Sequence, residues 1–342
     1  MKFFPTSLCT LCLLLFLRPI RIEAAAPETI QTIEGLAQGS SYRILYRGPL
    51  DPTLPAVIEQ RLKEFDQVFS NYRPDSEISR FNADKSLGWF SVSPDLVTLI
   101  AYAESISQAS EGAFDVTVGP LLQIWGFGPY KRTLKKLPSA QEVERARREV
   151  DFHRLVWRKN PPALKKKKAS VLVDVSGIAQ GYSVDVIAQL LDGKGLAHYM
   201  IEIGGEVRTR GNKGIDGPWQ IAIDSPSVEP TATSLMVALK DMSLTTAGDY
   251  RNYFEKDGQR FSHILDPRTG HPIQHQLAAV TVMAPTALEA DGWDTALLVL
   301  GQEKARALIK EKDLATYLIR REGQNFIGET SQSFAPFVNS SK

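Results

Sequence analysis

The chain has 342 residues, and its 40 Lys and Arg nearly balance its 39 Asp and Glu, so the formal net charge is +1. Hydrophobic residues make up 43% and charged residues 23%, which is ordinary for a globular protein and excludes disorder as the main state. The balanced charge argues against a nucleic-acid binder that works through a net positive field. A chain of this length can bury a large core, as one domain or as two closely associated ones.

Residues 1–26 predict a secretory signal peptide. Lys2 precedes an apolar run from Leu8 to Leu17, and small residues follow at 24–26. The run is short for a bilayer span, although an uncleaved N-terminal anchor is an alternative and the cleavage point stays open. Both cysteines, Cys9 and Cys12, lie in this leader, so the exported protein would hold no disulfide. Their spacing does not fit a lipoprotein signal, which leaves lipidation as a lesser alternative.

Hydrophobic periodicity predicts the first elements in chain order. Tyr42, Ile44 and Tyr46 alternate with polar residues and predict a strand, and apolar residues at helical spacing predict a helix over 53–69. Further helices are expected at 95–110 and at 139–150, where Ser139 and Glu142 form a capping-box pattern. The Pro- and Lys-rich stretch 160–169 is interpreted as a surface hairpin tip or loop, with docking to an acidic membrane surface or partner as the alternative.

Strands dominate after residue 170. They are predicted at 171–174, 197–203, 206–210, 219–224, 235–240, 259–265 and 277–283, with helices at 178–192, 286–300 and 302–312. Because strands mostly follow strands, the pattern favours an α+β protein with antiparallel sheets over a doubly wound parallel sheet.

Two segments combine glycines or acids with the start of a helix. Asp174 ends a β-rich run, and Gly177 and Gly181 then allow close backbone approach at a helix N-terminus, where an anion binds favourably. A simple strand-to-helix turn would give the same residues. Asp291, Asp294 and Thr295 share one helix face and suit a hard cation such as Mg²⁺, although acids in a first helical turn can merely cap it.

A third segment, 245–253 followed by 263–272, contains the histidine best placed for proton transfer. His263 ends a predicted strand, where it could exchange a proton at neutral pH, but a lone histidine is more often structural. Asp249 and Arg251 either contact substrate or pair with each other. The sequence has no G-x-S-x-G elbow and no Walker A motif, and a structural zinc site is not expected.

Together these segments resemble the ApbE-type FAD:protein FMN transferases over about residues 30–335. The motifs occur in the family's order at 69–82, 112–121, 125–129, 174–185, 203–206, 246–253, 263–272 and 290–301. The resemblance implies an α+β, ApbE-like (T-fold-related) fold with mixed, mostly antiparallel sheets. It also implies a transferase domain over 27–342, with two intimately associated sub-domains that meet near 155–170.

The family moves the FMN half of FAD to a Thr or Ser hydroxyl of a target protein and releases AMP, with Mg²⁺ as the implied metal. The targets are typically subunits of membrane redox complexes. The resemblance therefore implies an exported, periplasmic enzyme with FAD as its substrate, and it leaves peripheral association with the inner membrane open. The alternatives are an FAD pyrophosphatase that gives FMN and AMP, and a non-catalytic flavin carrier.

Residue by residue, the resemblance implies a metal site of Asp291 and Thr295, with Asp294 close by and the backbone carbonyl of Gly177 completing it. The implied FAD contacts are Gln38, Tyr72, Ala113, Phe114, Asp115, Asp174, Gln180 and Leu265.

Three residues, at positions 180, 263 and 266, need separate interpretation. Position 180 is often Lys or Glu in relatives. Because Gln180 cannot neutralise a pyrophosphate, more charge compensation falls to the metal. His263 is the candidate base for the attacking hydroxyl. Asp266 orients His263, contacts substrate, or simply belongs to an Asp-Pro turn.

Overall fold

The structure is a computed structural model that describes residues 1, 29–130, 136–214, 217–226, 235–250, 253–256, 258–323 and 325–338. The predicted signal peptide, after Met1, lies outside these residues, and so does Arg251. The helices described are α1 (Leu54–Phe69), α2 (Glu77–Ala83), α3 (Pro94–Ala109), α4 (Gly119–Trp125), α5 (Ala140–Arg147), α6 (Ala179–Gly193), α7 (Ala287–Leu300) and α8 (Gln302–Lys312). None of them combines the length and hydrophobicity that a bilayer span requires.

An eight-stranded antiparallel sheet organises the fold. In spatial order its strands are β1 (Ile30–Ala37), β2 (Ser40–Arg47), β6 (Tyr199–Ile203), β7 (Glu206–Arg210), β10 (Ser243–Gly248), β15 (Leu277–Ala284), β16 (Ala315–Glu322) and β17 (Asn325–Thr330). Helices α6 and α7 pack against strands of this sheet and against each other. The predicted α+β class with antiparallel sheets is confirmed.

Smaller sheets complete the architecture. Strands β3 (Trp89–Ser91), β5 (Pro162–Lys166) and β4 (Leu155–Lys159) form a three-stranded sheet in that order. The hairpins are β8 (Trp219–Ile223) with β9 (Leu235–Leu239), β11 (Tyr253–Lys256) with β12 (Gln259–Ser262), and β13 (Leu265–Asp266) with β14 (His271–Pro272).

Local sequence signals explain where several helices begin. The side chain of Ser139 accepts a hydrogen bond from Glu142 N, and the carboxylate of Glu142 accepts one from Ser139 N, so the predicted capping box is present at the start of α5. Ser93 caps α3 and Thr286 caps α7 in the same way, each accepting from a backbone N–H three residues on. The helix predicted at 95–110 is confirmed as α3, and those at 178–192 and 286–300 as α6 and α7.

The main core joins distant parts of the chain. It combines residues of α3 such as Leu99, residues of β15 such as Val280, and residues of α7 such as Leu297, all fully buried. Every residue of β15 is buried, which is the pattern of a strand covered on both faces. The sub-domain boundary near 155–170 stays a prediction.

Three predicted elements were wrong in detail. Residues 171–174 form no strand, and side-chain amides rather than a neighbouring strand hold the backbone N–H and C=O of Val173. The hairpin predicted at 160–169 is present, but its tip is only 160–161, since 162–166 forms β5 against β4 and Lys166 is buried. The strand predicted at 259–265 is divided between β12 and β13, with a bend at His263.

Candidate active site

The segment before α6 is held by two asparagine side chains. Asn82 donates from its amide to Val173 O at 2.7 Å and accepts from Val173 N at 2.7 Å. Asn71 donates to the same carbonyl oxygen at 2.8 Å. Val173 is buried, so these amides satisfy backbone groups that would otherwise be costly. They therefore fix the residue that follows, Asp174.

Asp174 lies at the turn into α6. Its carboxylate accepts hydrogen bonds from the backbone N–H of Ser176 at 2.9 Å and from the Ser176 hydroxyl. Burial raises the pKa of Asp174 above its ordinary value, although these bonds act in the opposite direction. Its charge contributes to raising the pKa of Tyr72 and Tyr130, after burial, so both phenols lie within electrostatic reach of it.

Helices α6 and α7 approach each other closely at Gly181. The Gly181 N–H donates to Asp291 Oδ2 at 2.7 Å. One turn earlier, a Cβ added at Gly177 would lie 3.4 Å from Thr295 Cγ2 and 3.5 Å from Phe114 Cε2. The fold thus brings Gly177, Asp291 and Thr295 together from segments more than a hundred residues apart, with Asp294 beside Thr295, whose hydroxyl donates to it at 3.3 Å.

Asp291 and Asp294 form a buried acid pair, exposed by only 6% and 2%. Burial raises the pKa of Asp291 to about 7, and the charge of Asp185 adds to this. Burial, and then the charge of Asp291, raise the pKa of Asp294 well above its ordinary value. Within the described part of the chain neither carboxylate is paired with a Lys or Arg.

This donor set fits a hard cation. The two carboxylates, the Thr295 hydroxyl and the nearby backbone of Gly177 are all oxygen donors, which Mg²⁺ prefers. A bound divalent cation would compensate two buried charges that otherwise favour their neutral forms. No cluster of three or more His, Cys, Asp or Glu suited to a metal occurs among the residues described, so the fit rests on this smaller set.

A cleft of about 1330 Å³ opens beside the α6 turn. Its walls come from the β1–β2 turn, from the α1 end with Tyr72, from 126–129, from the α6 start and from β11. Three residues predicted to contact FAD line it, namely Gln38, Tyr72 and Gln180. Ser176, next to Gly177, also lines it, which places the acid pair close to the cleft.

Gln38 and Gln180 are connected at the cleft wall. The Ser183 hydroxyl lies 3.1 Å from Gln38 Oε1, and Gln180 Nε2 donates to Ile203 O at 3.2 Å. The amide nitrogen of Gln38 is buried without a partner among the described residues. An unsatisfied buried donor is costly, so this nitrogen is a natural contact for an acceptor atom of a ligand.

The other predicted FAD contacts lie behind the wall. Asp115 accepts from the N–H and hydroxyl of Thr117 at 2.7 and 2.6 Å and from Phe152 N at 2.9 Å, which occupies both carboxylate oxygens. Ala113 and Phe114 are buried, and Phe114 lies under Gly177. Leu265 packs in a cluster with Trp125 and Phe127. Their predicted roles toward FAD stay predictions.

His263 is partly buried at the bend between β12 and β13, and β13 contacts α7. The carboxylate of Asp266 accepts from Arg268 N, Nε and Nη2 at 2.9, 2.9 and 2.8 Å, as expected for an acid at an Asp-Pro turn. Its predicted role toward His263 stays a prediction. Asp249 forms a two-point ion pair with Arg321, which the sequence did not indicate.

Two features of the site were not predicted from the sequence: the β11–β12 hairpin beside the cleft, and the contacts of Asn71 and Asn82 with Val173. Phe254 stacks on Phe261 with ring centroids 5.1 Å apart and lies 5.5 Å from Phe127, so β11 closes one side of the cleft. The Asp257-Gly258 pair between Phe254 and Phe261 is a hairpin turn signal in the sequence and could have indicated this hairpin. Asn71 and Asn82 lie inside the 69–82 motif, but only their long-range contacts reveal what they do.

The fold and cleft define a class of protein: a mixed α+β scaffold that presents a large, partly aromatic ligand cleft beside a buried, metal-competent acid pair. The chain belongs to the ApbE family, whose model matches residues 38–318.

The FAD:protein FMN transferase of Haemophilus influenzae is 40% identical over 92% of this chain and 94% of its own. That of Salmonella typhimurium is 37% identical over 93% of each. Among solved structures, the flavin transferase ApbE from Vibrio cholerae has a TM-score of 0.84 at 37% identity and covers 91% of this chain and 100% of its own. The apo Pseudomonas stutzeri flavinyl transferase ApbE has a TM-score of 0.84 at 37% identity, with 93% and 99% covered.

Proposed function

We propose that this protein transfers the FMN moiety of FAD to a Thr or Ser hydroxyl of an acceptor protein and releases AMP. The observation that carries the proposal is the buried pair Asp291 and Asp294, held against the α6 turn beside the cleft. The cleft exceeds the usual size of small-molecule sites, about 300–1,000 Å³, and has room for a dinucleotide. The names of the curated relatives support the same activity.

Mg²⁺ is the proposed metal, and Asp291, Asp294, Thr295 and the carbonyl of Gly177 would hold it. When bound, such a cation stabilises charge that develops on phosphate oxygens during transfer. Because Gln180 is uncharged, it neutralises none of the negative charge of the pyrophosphate, whereas a Lys at that position would neutralise part of it.

The chain's own residues then have distinct tasks. The acceptor hydroxyl oxygen forms a bond to the FMN phosphorus while the bond from that phosphorus to the AMP phosphate oxygen breaks. His263 accepts the proton of the hydroxyl, and AMP leaves with the electron pair of the broken bond. Tyr72 and the Gln38 amide hold the flavin nucleotide in the cleft, which orients the phosphorus for in-line attack.

We further propose that the leader directs export to the periplasm and that the acceptor is a subunit of a membrane redox complex. What supports this is the signal-peptide pattern of residues 1–26, since a periplasmic enzyme can reach the exported domains of such complexes.

Incubation of the protein with FAD, Mg²⁺ and a domain that bears a candidate acceptor Thr tests the proposal. Mass spectrometry follows the acceptor and chromatography follows AMP. The acceptor should gain FMN less water, and the gain should vanish with EDTA or in Asp291→Ala but persist in Glu311→Gln, an exposed acid on α8. His263→Ala should slow transfer by about 100- to 10,000-fold.

Two other outcomes would redirect the assignment. AMP and free FMN with every acceptor domain left unmodified would indicate the FAD pyrophosphatase. FAD that stays bound while no AMP forms would exclude both enzymes and indicate a flavin carrier.

A further inference from the structure

One face of the three-stranded sheet β3-β5-β4 carries basic and aromatic side chains. Trp89 and Val156 both pair with Lys165, and Arg158 pairs with Ala163, two residues from Lys165 on the same strand. Paired residues of antiparallel strands share a face, and so do residues two apart in one strand. Trp89, Lys165 and Arg158 therefore project from the same side of the sheet.

The opposite face is anchored in the protein. Leu164 and Leu155 are buried in the main core, and Phe90 packs against it. Lys166, the one lysine of β5 on this side, is 2% exposed and donates to the carbonyl oxygens of Asn82 and Asp84 at 3.0 and 2.9 Å. The alternation of the strand thus decides that Lys165 reaches the surface and Lys166 does not.

The outward face concentrates cations around an exposed indole. The Arg158 guanidinium lies 4.5 Å and the Lys165 ammonium 5.9 Å from the Trp89 ring centroid. Trp89 is 41% exposed, and Leu87, two residues earlier, is 51% exposed. The basic–aromatic face is defined as Trp89 with the cations Arg158, Lys165 and Lys167, of which Lys167 follows Lys165 by two residues.

These cations are not neutralised by the protein. Over the described ranges none of the three forms an ion pair with a carboxylate, whereas Lys168 pairs with Glu149 at 2.7 Å. The face also lies away from the two large cavities, whose lining residues come from other segments.

We propose that the basic–aromatic face docks the protein on an anionic phospholipid surface. Clustered Lys and Arg attract anionic headgroups, while Trp89 and Leu87 supply the amphipathic and apolar groups that settle at a membrane–water interface. An acidic peptide is the less suitable partner, because these side chains line neither large cavity that could enclose an extended segment. This docking is independent of the proposed flavin transfer.

Vesicle co-sedimentation of the full chain tests the docking. Mixed phosphatidylglycerol–phosphatidylcholine vesicles should bind it and pure phosphatidylcholine vesicles should bind it far more weakly. Arg158→Gln, Lys165→Gln and Lys167→Gln combined should lower the partition coefficient roughly 100-fold, at about fivefold for each cation removed. The matched control neutralises three exposed α8 lysines, Lys304, Lys310 and Lys312, and should bind as the wild type does. The leader is the same in all variants, so it cannot produce a difference between them.

A second variant tests the aromatic part. Trp89→Ala should weaken binding most at high salt, where the cation contribution is screened. FAD turnover in solution should be unchanged in both variants, which shows that the fold is intact. Equal vesicle binding by the triple variant and the wild type would overturn the proposal, and so would an equal loss in the α8 control. Loss of acceptor modification in detergent without loss of vesicle binding would indicate an acidic protein partner instead.

Discussion

The backbone N–H of Gly181 donates a 2.7 Å hydrogen bond to Asp291 Oδ2, so the first turn of α6 is joined directly to the acid pair on α7. Further along α6, Asp185 accepts from Ala287 N at 3.0 Å and from Leu288 N at 2.8 Å, at the N-terminus of α7. Gly181, Asp185 and Asp291 therefore fix the relative position of α6 and α7, which is called the helix register below. That register determines where the carboxylates of the candidate metal site lie.

Gly181→Ala should disrupt this register. An added Cβ would lie 2.3 Å from Ala287 O and 2.6 Å from Asp291 Cβ, so the helices must separate. We expect a loss of about 2–3 kcal/mol in the free energy of unfolding and a larger relative loss of flavin transfer. Urea unfolding and the transfer assay measure the two effects. Gly193→Ala on the same helix is the control, because a Cβ there meets nothing within 4 Å, and it should be neutral or stabilising. Similar behaviour of the two variants would contradict the register argument.

Asp291→Asn should separate metal binding from folding. The amide oxygen of Asn can still accept from Gly181 N, and the change removes a charge whose burial is costly. The free energy of unfolding of the metal-free protein at pH 8 should therefore stay equal or rise, while transfer falls roughly 1,000-fold through lost metal stabilisation of the reacting phosphates. Calorimetry with and without Mg²⁺ checks this: Mg²⁺ should raise the melting temperature of the wild type only. A marked loss of metal-free stability would show that Asp291 is mainly structural.

Asn82→Ala should weaken FAD binding through the segment that carries Asp174. It leaves the buried N–H and C=O of Val173 without two 2.7 Å bonds, at a cost of roughly 2–4 kcal/mol in the free energy of unfolding. Asn71→Ala removes one 2.8 Å bond and a weaker one at 3.4 Å, so its effect should be about half as large. FAD titration followed by flavin fluorescence should show weaker binding in both variants, and Asn71 also lines the cleft itself. A larger loss in the free energy of unfolding at Asn71 would be inconsistent with the contacts.

Asp115 should make the stability depend on pH. Burial raises its pKa from 3.8 to about 6, so between these values the folded chain binds more protons than the unfolded chain. The free energy of unfolding should therefore fall as pH rises from about 4 to about 6, by ~3 kcal/mol in total from this group. Urea titrations across that range test it: Asp115→Asn should lessen the slope by this amount, whereas Glu311→Gln should leave it unchanged. Part of the slope should remain in Asp115→Asn, because burial also raises the pKa of Asp174, Asp291 and Asp294. An unchanged slope in Asp115→Asn would contradict the assignment to Asp115.

The site was only partly accessible from the sequence. The spacing of Asp291, Asp294 and Thr295 correctly places them on one helix, because 3.6-residue periodicity is a local property. The absence of a strand at 171–174 and the bend at His263 were not predicted, because strand pairing is not a local property. Strand propensity there is high, but whether a segment joins a ladder depends on which neighbour reaches its backbone, and at Val173 that neighbour is the Asn82 side chain.

Composition, periodicity and ordered motifs by themselves determined the α+β class, most of the helices and the family resemblance, since these follow from local patterns along the chain. Only the tertiary structure decided that Gly181 meets Asp291, that Asp266 pairs with Arg268, and that of two adjacent lysines Lys165 is partly exposed and Lys166 buried. Such contacts join segments distant in sequence or depend on which face of a strand the core covers. They follow from the packing of the whole chain, because steric fit and burial distinguish arrangements that have the same local propensity.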